Sequence, residues 1–244
     1  MIQALGLTKW TNDSAIVDHV SFHVKRGEVY CLLGADGAGK SLLDMFLGFA
    51  VPTSGSALVA GHDCLKKPRA ARASILYLPA SVALSGSLSP LENLRYQCRQ
   101  TGAGPPSDAE ARNLLREMGI PDDLFKSRSS LLSRSQMQRM GLAIAAARRV
   151  PVVIADDPAA GIRPRDAEFF LERLIRLKSA GVAILYATSD AYVARQIADR
   201  VGILKQGLLI LELKKSELAG TDLESLYRST SPHAALTWPT PTDH

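Results

Sequence analysis

The sequence predicts an α/β fold built on a mostly parallel sheet, and three observations carry that prediction. Short apolar runs recur along the chain, "EVYCLLG", "PVVIADDP" and "VAILYAT", with the length of buried strands. Amphipathic stretches alternate with them; in "DAEFFLERLIRLKSAG" the apolar residues repeat at helical spacing up to a glycine stop. Such alternation means a sheet covered by helices on both faces. The first 61 residues read differently, as antiparallel strands and tight turns. There, in "AIVDHVSFHVKRG", Val20, Phe22 and Val24 alternate with polar neighbours as in a half-buried strand.

Each element can be justified in order. After "EVYCLLG" and a glycine-rich turn, "SLLDMFLGFAVPTSG" places Leu42, Leu43, Phe46 and Leu47 on one helical face, with Pro52 as the expected stop. From about residue 80 to 150 the chain reads as helix and loop. Ser89 with Glu92, and Ser107 with Glu110, have the capping-box spacing that begins a helix, and Pro90 suits the first helical position. "TGAGPP" divides the two helices, and "VGILKQGLLILEL" reads as a hairpin or strand pair. The expected organisation is a core of residues 1–79 and 151–215, an inserted helical lobe at 80–150, and a tail at 216–244 whose Pro/Thr/Ser-rich end reads as loose. The chain carries no internal repeat.

Composition narrows the classes. With 46% apolar and 22% charged residues in 244, the chain has the balance of a globular protein. No run approaches the ~18 apolar residues of a spanning helix. "MIQALGLTKWTNDS" lacks the pattern of a secretory signal, so a cytoplasmic location is expected, with membrane association through a partner. Cys31, Cys64 and Cys98 are far apart and read as small apolar residues in a reduced compartment. The net charge of +5 permits nucleic acid or an acidic membrane as partner, but the basic residues read as dispersed over a solvated surface.

The chemistry centres on "GADGAGKS". Gly34, Gly39, Lys40 and Ser41 satisfy G-x-x-x-x-G-K-[ST], between a predicted strand and a predicted helix. Glycines let successive N–H groups point at phosphate oxygens, Lys40 places a cation between β- and γ-phosphates, and the Ser41 hydroxyl suits Mg²⁺. Gly34, Ala35, Asp36, Gly37, Ala38, Gly39, Lys40, Ser41 and Leu42 are therefore the candidate nucleotide-binding residues. Asp156, at the end of "VVIAD" and 116 residues after Lys40, is the candidate second metal-side group, with Asp157 beside it. The N-K-x-D motif that would read guanine is absent, which points to ATP.

With these motifs in order, residues 2 to 213 resemble the ATP-binding subunits of ABC transporters, nearest to those of multidrug or ABC-2-type exporters. "GLTKWTNDSAIVDHVSFHVKRGEVYCLLGADGAGKS", "PTSGSALVAGHDC", "ADDPAAGIRP" and "ADRVGIL" carry the likeness. It implies a P-loop NTPase core with N-terminal antiparallel strands and an inserted helical lobe. It also implies ATP and Mg²⁺ as cofactors, and a second ATP-binding subunit, identical or different, as partner. Transmembrane subunits complete the assembly, which places the chain peripherally at the cytoplasmic face of a membrane; no direct nucleic-acid contact is expected.

The resemblance also locates departures. The family's signature L-S-G-G-Q aligns with Leu132-Ser133-Arg134-Ser135-Gln136, so Ser133, Arg134, Ser135 and Gln136 are the candidate partner-site segment without its glycines. Arg134 would either obstruct the approach to the partner's nucleotide or grip it with its own charge. The glutamine that senses Mg²⁺ and the membrane partner aligns with Ala80, and the interface aspartate with Arg163. The catalytic glutamate aligns with Asp157, one methylene shorter, and the γ-phosphate histidine with Ser189, which can never be cationic. The adenine-stacking aromatic is expected near Thr11; the ring at hand is Trp10, one residue off and usable if the loop bulges. The resulting expectation is an ABC subunit that holds Mg-ATP and cleaves it weakly or not at all. The alternatives are an active ATPase with substituted groups, and a nucleotide-gated protein outside transport.

Overall fold

Two sheets form because the chain carries two kinds of apolar pattern. The structure, a computed structural model, describes residues 1–11, 14–34, 37–102 and 104–229. The alternating strands β1 (Ile2–Thr11) and β2 (Ser14–Val24) pair antiparallel. Later in the chain β4 (Ser54–Val59) and β5 (His62–Asp63) join them in a four-stranded sheet ordered β2-β1-β4-β5. The nearly continuously buried strands β3 (Val29–Leu33), β6 (Ile75–Leu78), β7 (Val152–Asp156) and β8 (Ala183–Thr188) build the second sheet. With β9 (Arg200–Lys205) and β10 (Leu208–Lys214) its order is β10-β9-β3-β8-β7-β6. Every pairing in it is parallel except the β9–β10 hairpin.

The two-residue period of a strand divides the core. Cys31, Leu33, Val153, Ala155, Ile184 and Tyr186 face one apolar cluster, shared with the helices. Their neighbours Tyr30, Leu32, Val152, Ile154 and Leu185 face another, shared with the antiparallel sheet. The helices are α1 (Ala38–Leu47), α2 (Pro68–Ala73), α3 (Pro90–Gln100), α4 (Asp108–Glu117), α5 (Arg134–Arg148), α6 (Pro164–Ser179), α7 (Ala191–Ile197), α8 (Lys215–Leu218) and α9 (Leu223–Ser229). A half-buried cation ties sheet to sheet: Arg200 pairs with Glu28 at 3.0 Å and Glu212 at 2.5 Å, and donates to the carbonyl of His23 on β2. All three cysteines are buried and free.

Capping chemistry follows the sequence. Ser89 and Ser107 accept from the N–H groups of Glu92 and Glu110, whose carboxylates bond back, and Ser133 with Gln136 forms a third such box. Each is worth about 1 kcal/mol of helix stability. One element differs from expectation. Helix α1 stops at Gly48, four residues before Pro52, because Gly48 takes a left-handed turn (φ 71°) and returns its N–H to Asp44 and Met45; a residue with Cβ would pay about 1–2 kcal/mol there. The segment after 215 begins as structure, with α8 and α9 burying Leu218 and Leu223, while residues 230–244 lie outside the described residues.

Candidate functional site

The site forms where the carboxyl ends of β3, β7 and β8 meet, the position at which open parallel sheets present ligands. Leu33 pairs with Thr188, and Asp156 with Ala187, so the loops after all three strands emerge side by side. The Gly34 N–H donates to the Thr188 carbonyl at 3.1 Å, and a Cβ at Gly34 would lie 2.6 Å from the Leu204 carbonyl oxygen. Glycine is required there by contact. At Gly37 it is required by conformation, φ 76°, which turns the chain into α1. Ala35 and Asp36 lie outside the described residues, as does the side chain of Ala38.

The amino end of α1 carries no side-chain cap and no acidic residue in its first turn. Its first N–H groups and its positive dipole end lie toward the loop, as an anion site needs. Ser41 is partly exposed at this end, while Leu42 is fully buried and can contribute only its backbone N–H. On the metal side, Lys40 Nζ donates to Asp44 Oδ1 at 3.1 Å and lies 3.7 Å from Asp156 Oδ2. Tyr77 donates its hydroxyl to the same Asp156 oxygen at 3.2 Å. These contacts raise the proton affinity of Lys40 against partial desolvation. A glycine cradle, a cation, a hydroxyl and a carboxylate thus converge; this donor set fits a polyphosphate with a hard, oxygen-loving cation.

Asp157 is built differently. Its backbone is left-handed (φ 43°), and its N–H bonds the Ala187 carbonyl. Thr188 Oγ1 donates to Asp157 Oδ1 at 2.9 Å. Burial raises its proton affinity, opposed by the Thr188 bond and reinforced by Asp190 and Asp156. Ser189 is exposed between Thr188, whose hydroxyl accepts from the Asp190 N–H, and Asp190, which caps α7. Asp157, Gly161, Ser189 and Tyr192 share the wall of a cavity of about 480 Å³.

The substituted signature bonds within its own chain. Arg134 Nη2 donates to the Ala80 carbonyl at 3.1 Å, and Gln138 Nε2 donates to the same oxygen at 2.7 Å. The Arg134 guanidinium also lies against Gly161, 3.0 Å from where a Cβ would stand. Ser135 is buried, and its hydroxyl contacts that of Ser133. Arg163 begins α6 with its side chain 87% exposed and pairs with Asp166. Trp10 is 53% exposed, and the β1–β2 register shifts between Lys9 and Trp10.

Sequence reasoning missed Asp44, Tyr77 and Thr188. Asp44 stands four residues after Lys40, so the i,i+4 rule could have found it. Tyr77 and Thr188 become neighbours of the two aspartates only through strand order, which the one-dimensional pattern does not contain.

Fold and site define a phosphate-binding α/β protein with a P-loop. Residues 17–160 match the family described as "ABC transporter". The chain belongs to that family, as an ATP-binding domain. It is 32% identical over 211 residues to the probable multidrug ABC transporter ATP-binding protein YbhF of Escherichia coli (strain K12), covering 86% of this chain and 36% of that protein. It is 32% identical to the Nod factor export ATP-binding protein I of Paraburkholderia xenovorans (strain LB400), covering 86% and 70%. The doxorubicin resistance ATP-binding protein DrrA of Mycobacterium tuberculosis is 31% identical over 217 residues, with 87% and 65% covered. The chain thus spans about a third of the length of YbhF. Among solved structures, an ATP-binding subunit of an ABC transporter superposes with a TM-score of 0.80 at 26% identity, covering 93% of this chain and 98% of that one. The cassette MJ0796 shares the fold, with a TM-score of 0.76 at 22% identity over 88% of this chain and 99% of that one. Among the described residues no helix is long and apolar enough to cross a membrane.

Proposed function

We propose that this chain is the ATP-binding subunit of an ABC exporter, holding Mg-ATP on the Gly34–Ser41 loop and hydrolysing it weakly or not at all. The carrying observation is the contrast within the site. Helix α1 has no side-chain cap and no acidic residue in its first turn, whereas Arg134 and Asp157 on the γ-phosphate side are bonded within their own chain. Exporter function rests on relatives whose names record multidrug, Nod-factor and doxorubicin roles.

In this reading Lys40 exchanges Asp44 for phosphate oxygens, and Ser41 and Asp156 hold the metal. Bound Mg²⁺ would neutralise charge on the transferring phosphoryl group. Asp157 is the candidate base, but its shorter side chain stands back from the nucleophile; a misplacement near 1 Å costs about 10²-fold. Ser189 offers a hydrogen bond in place of a cation, and Arg134 grips Ala80. Phosphoryl transfer depends on positioning and charge stabilisation, so these losses compound. Trp10 is the proposed adenine platform. The partners are a second ATP-binding subunit and transmembrane subunits, with the chain peripheral at the cytoplasmic face. In such a dimer the altered Ser133–Gln136 segment would affect the partner's site too.

One observation favours an active ATPase instead: Asp157 has the raised proton affinity and fixed orientation that a general base uses. Calorimetric titration with Mg-ATP, with Lys40→Ala as control and phosphate release on the same sample, separates the readings. Tight binding without Lys40-dependent release supports the holding subunit. Sustained Lys40-dependent release supports the ATPase. No nucleotide binding, with co-purification on nucleic acid instead of membranes, would favour a role outside transport.

A further inference from the structure

The basic residues are less dispersed than the composition suggests. Several arginines are matched to acids: Arg95 and Arg112 to Asp108, Arg116 to Asp122, Arg200 to Glu28 and Glu212. Residues 65–72, "LKKPRAAR", instead crowd four cations into eight positions with no acid among them. Lys66, Lys67, Arg69 and Arg72 are all exposed. Lys66 reaches Asp63 only at 3.9 Å, and Lys67, Arg69 and Arg72 make no ion pair among the described residues. Asp63 is meanwhile occupied, accepting from the N–H groups of Leu65 and Lys66.

Of the four, only Arg72, in the last turn of α2, is placed to help its own helix. Lys67 is the N-cap of α2 and Arg69 sits in its first turn, where the helix end is already positive and no acidic residue offsets it. Beside these cations stand large exposed apolar side chains: Phe49 (67%), Val51 (56%) and Leu65 (53%). Val51, Leu65, Lys66 and Arg72 line one shallow groove of about 260 Å³ together with Asp63, so two of the cations and two of the apolar groups share a surface.

We propose that this surface binds an anionic lipid bilayer, with the four cations on headgroup phosphates and Leu65, Val51 and Phe49 at the headgroup–acyl boundary. Charge selects an acidic partner, and the aliphatic shoulder selects lipid over nucleic acid. Val51 and Leu65 offer no stacking platform for bases and Phe49 is the one ring beside them, whereas all three gain by entering the interface. Each cation near an acidic membrane surface is worth about five-fold in affinity. The inference stands on residues 49–72 and does not depend on how nucleotide is used.

The test is co-sedimentation of the full chain with phosphatidylcholine vesicles and with vesicles of equal parts phosphatidylcholine and phosphatidylglycerol. A fluorescently labelled duplex oligonucleotide is titrated in parallel. The expected result is binding to the acidic vesicles only, weakened by salt, about five-fold weaker for each of K66Q, K67Q, R69Q and R72Q, and further reduced by L65S. Because all five side chains are exposed, thermal melting and the Mg-ATP titration should match the parent, which separates this result from a failure of folding or of nucleotide binding. Absent binding, equal binding to neutral vesicles, insensitivity to the four substitutions, or tighter binding to the oligonucleotide would each overturn the proposal.

Discussion

The two halves of the site differ in where their polar groups point. On the phosphate side, the α1 amino end is uncapped, and Lys40, Asp156 and Tyr77 contact one another around the cradle. On the γ-phosphate side, Arg134 is bonded to Ala80, Asp157 to Thr188, and Arg163 to Asp166. The Lys40 pair with Asp44 is exposed and can be exchanged for phosphate, whereas the Thr188 bond to Asp157 is half-buried. Binding needs donors that an anion can reach, whereas catalysis needs charge placed where it develops.

The strongest way to break this comparison is to rebuild the weaker half. In the triple variant R134G/D157E/S189H, Lys40-dependent phosphate release should rise on the order of 10²-fold or more, with the single variants falling well short because such groups act together. An unchanged rate would mean that the departures are not what limits hydrolysis. On the other half, Lys40→Ala should weaken Mg-ATP binding on the order of 10²-fold by calorimetry, since a charged partner of the phosphates is removed.

A smaller effect concerns stability. Burial raises the proton affinity of Asp157 in the folded chain, so the folded state holds its proton more tightly than the unfolded state. Stability attributable to this group therefore falls as pH rises from the ordinary aspartate value through its raised one. At neutral pH Asp157→Asn should raise the melting temperature by about 2–4 °C per kcal/mol relieved, and the gain should vanish in acid below the ordinary aspartate range. Smallest is Asp44→Asn. It frees Lys40 from an exposed i,i+4 pair and should tighten nucleotide binding about two-fold; weaker binding would instead assign Asp44 to the metal.

Much of this was legible in the chain itself. The buried strands, the glycine cradle and the Ser89 and Ser107 boxes are local patterns, and local patterns survive folding. The end of α1 was misplaced because Pro52 was weighed above Gly48, although glycine already closes the helix through its left-handed turn. The bond of Arg134 to Ala80 was not legible, since Ala80 is 54 residues away and meets it only after β6 and α5 pack. For the same reason the Thr188 bond to Asp157 needed the pairing of β7 with β8.

The most direct test loads the chain with one equivalent of γ-labelled Mg-ATP, removes free nucleotide, and follows the bound label for an hour. The account predicts that the nucleotide stays ATP, while the R134G/D157E/S189H variant converts it to ADP. Prompt conversion on the unmodified chain would contradict it, and would make Asp157, Ser189 and Arg134 parts of a working site.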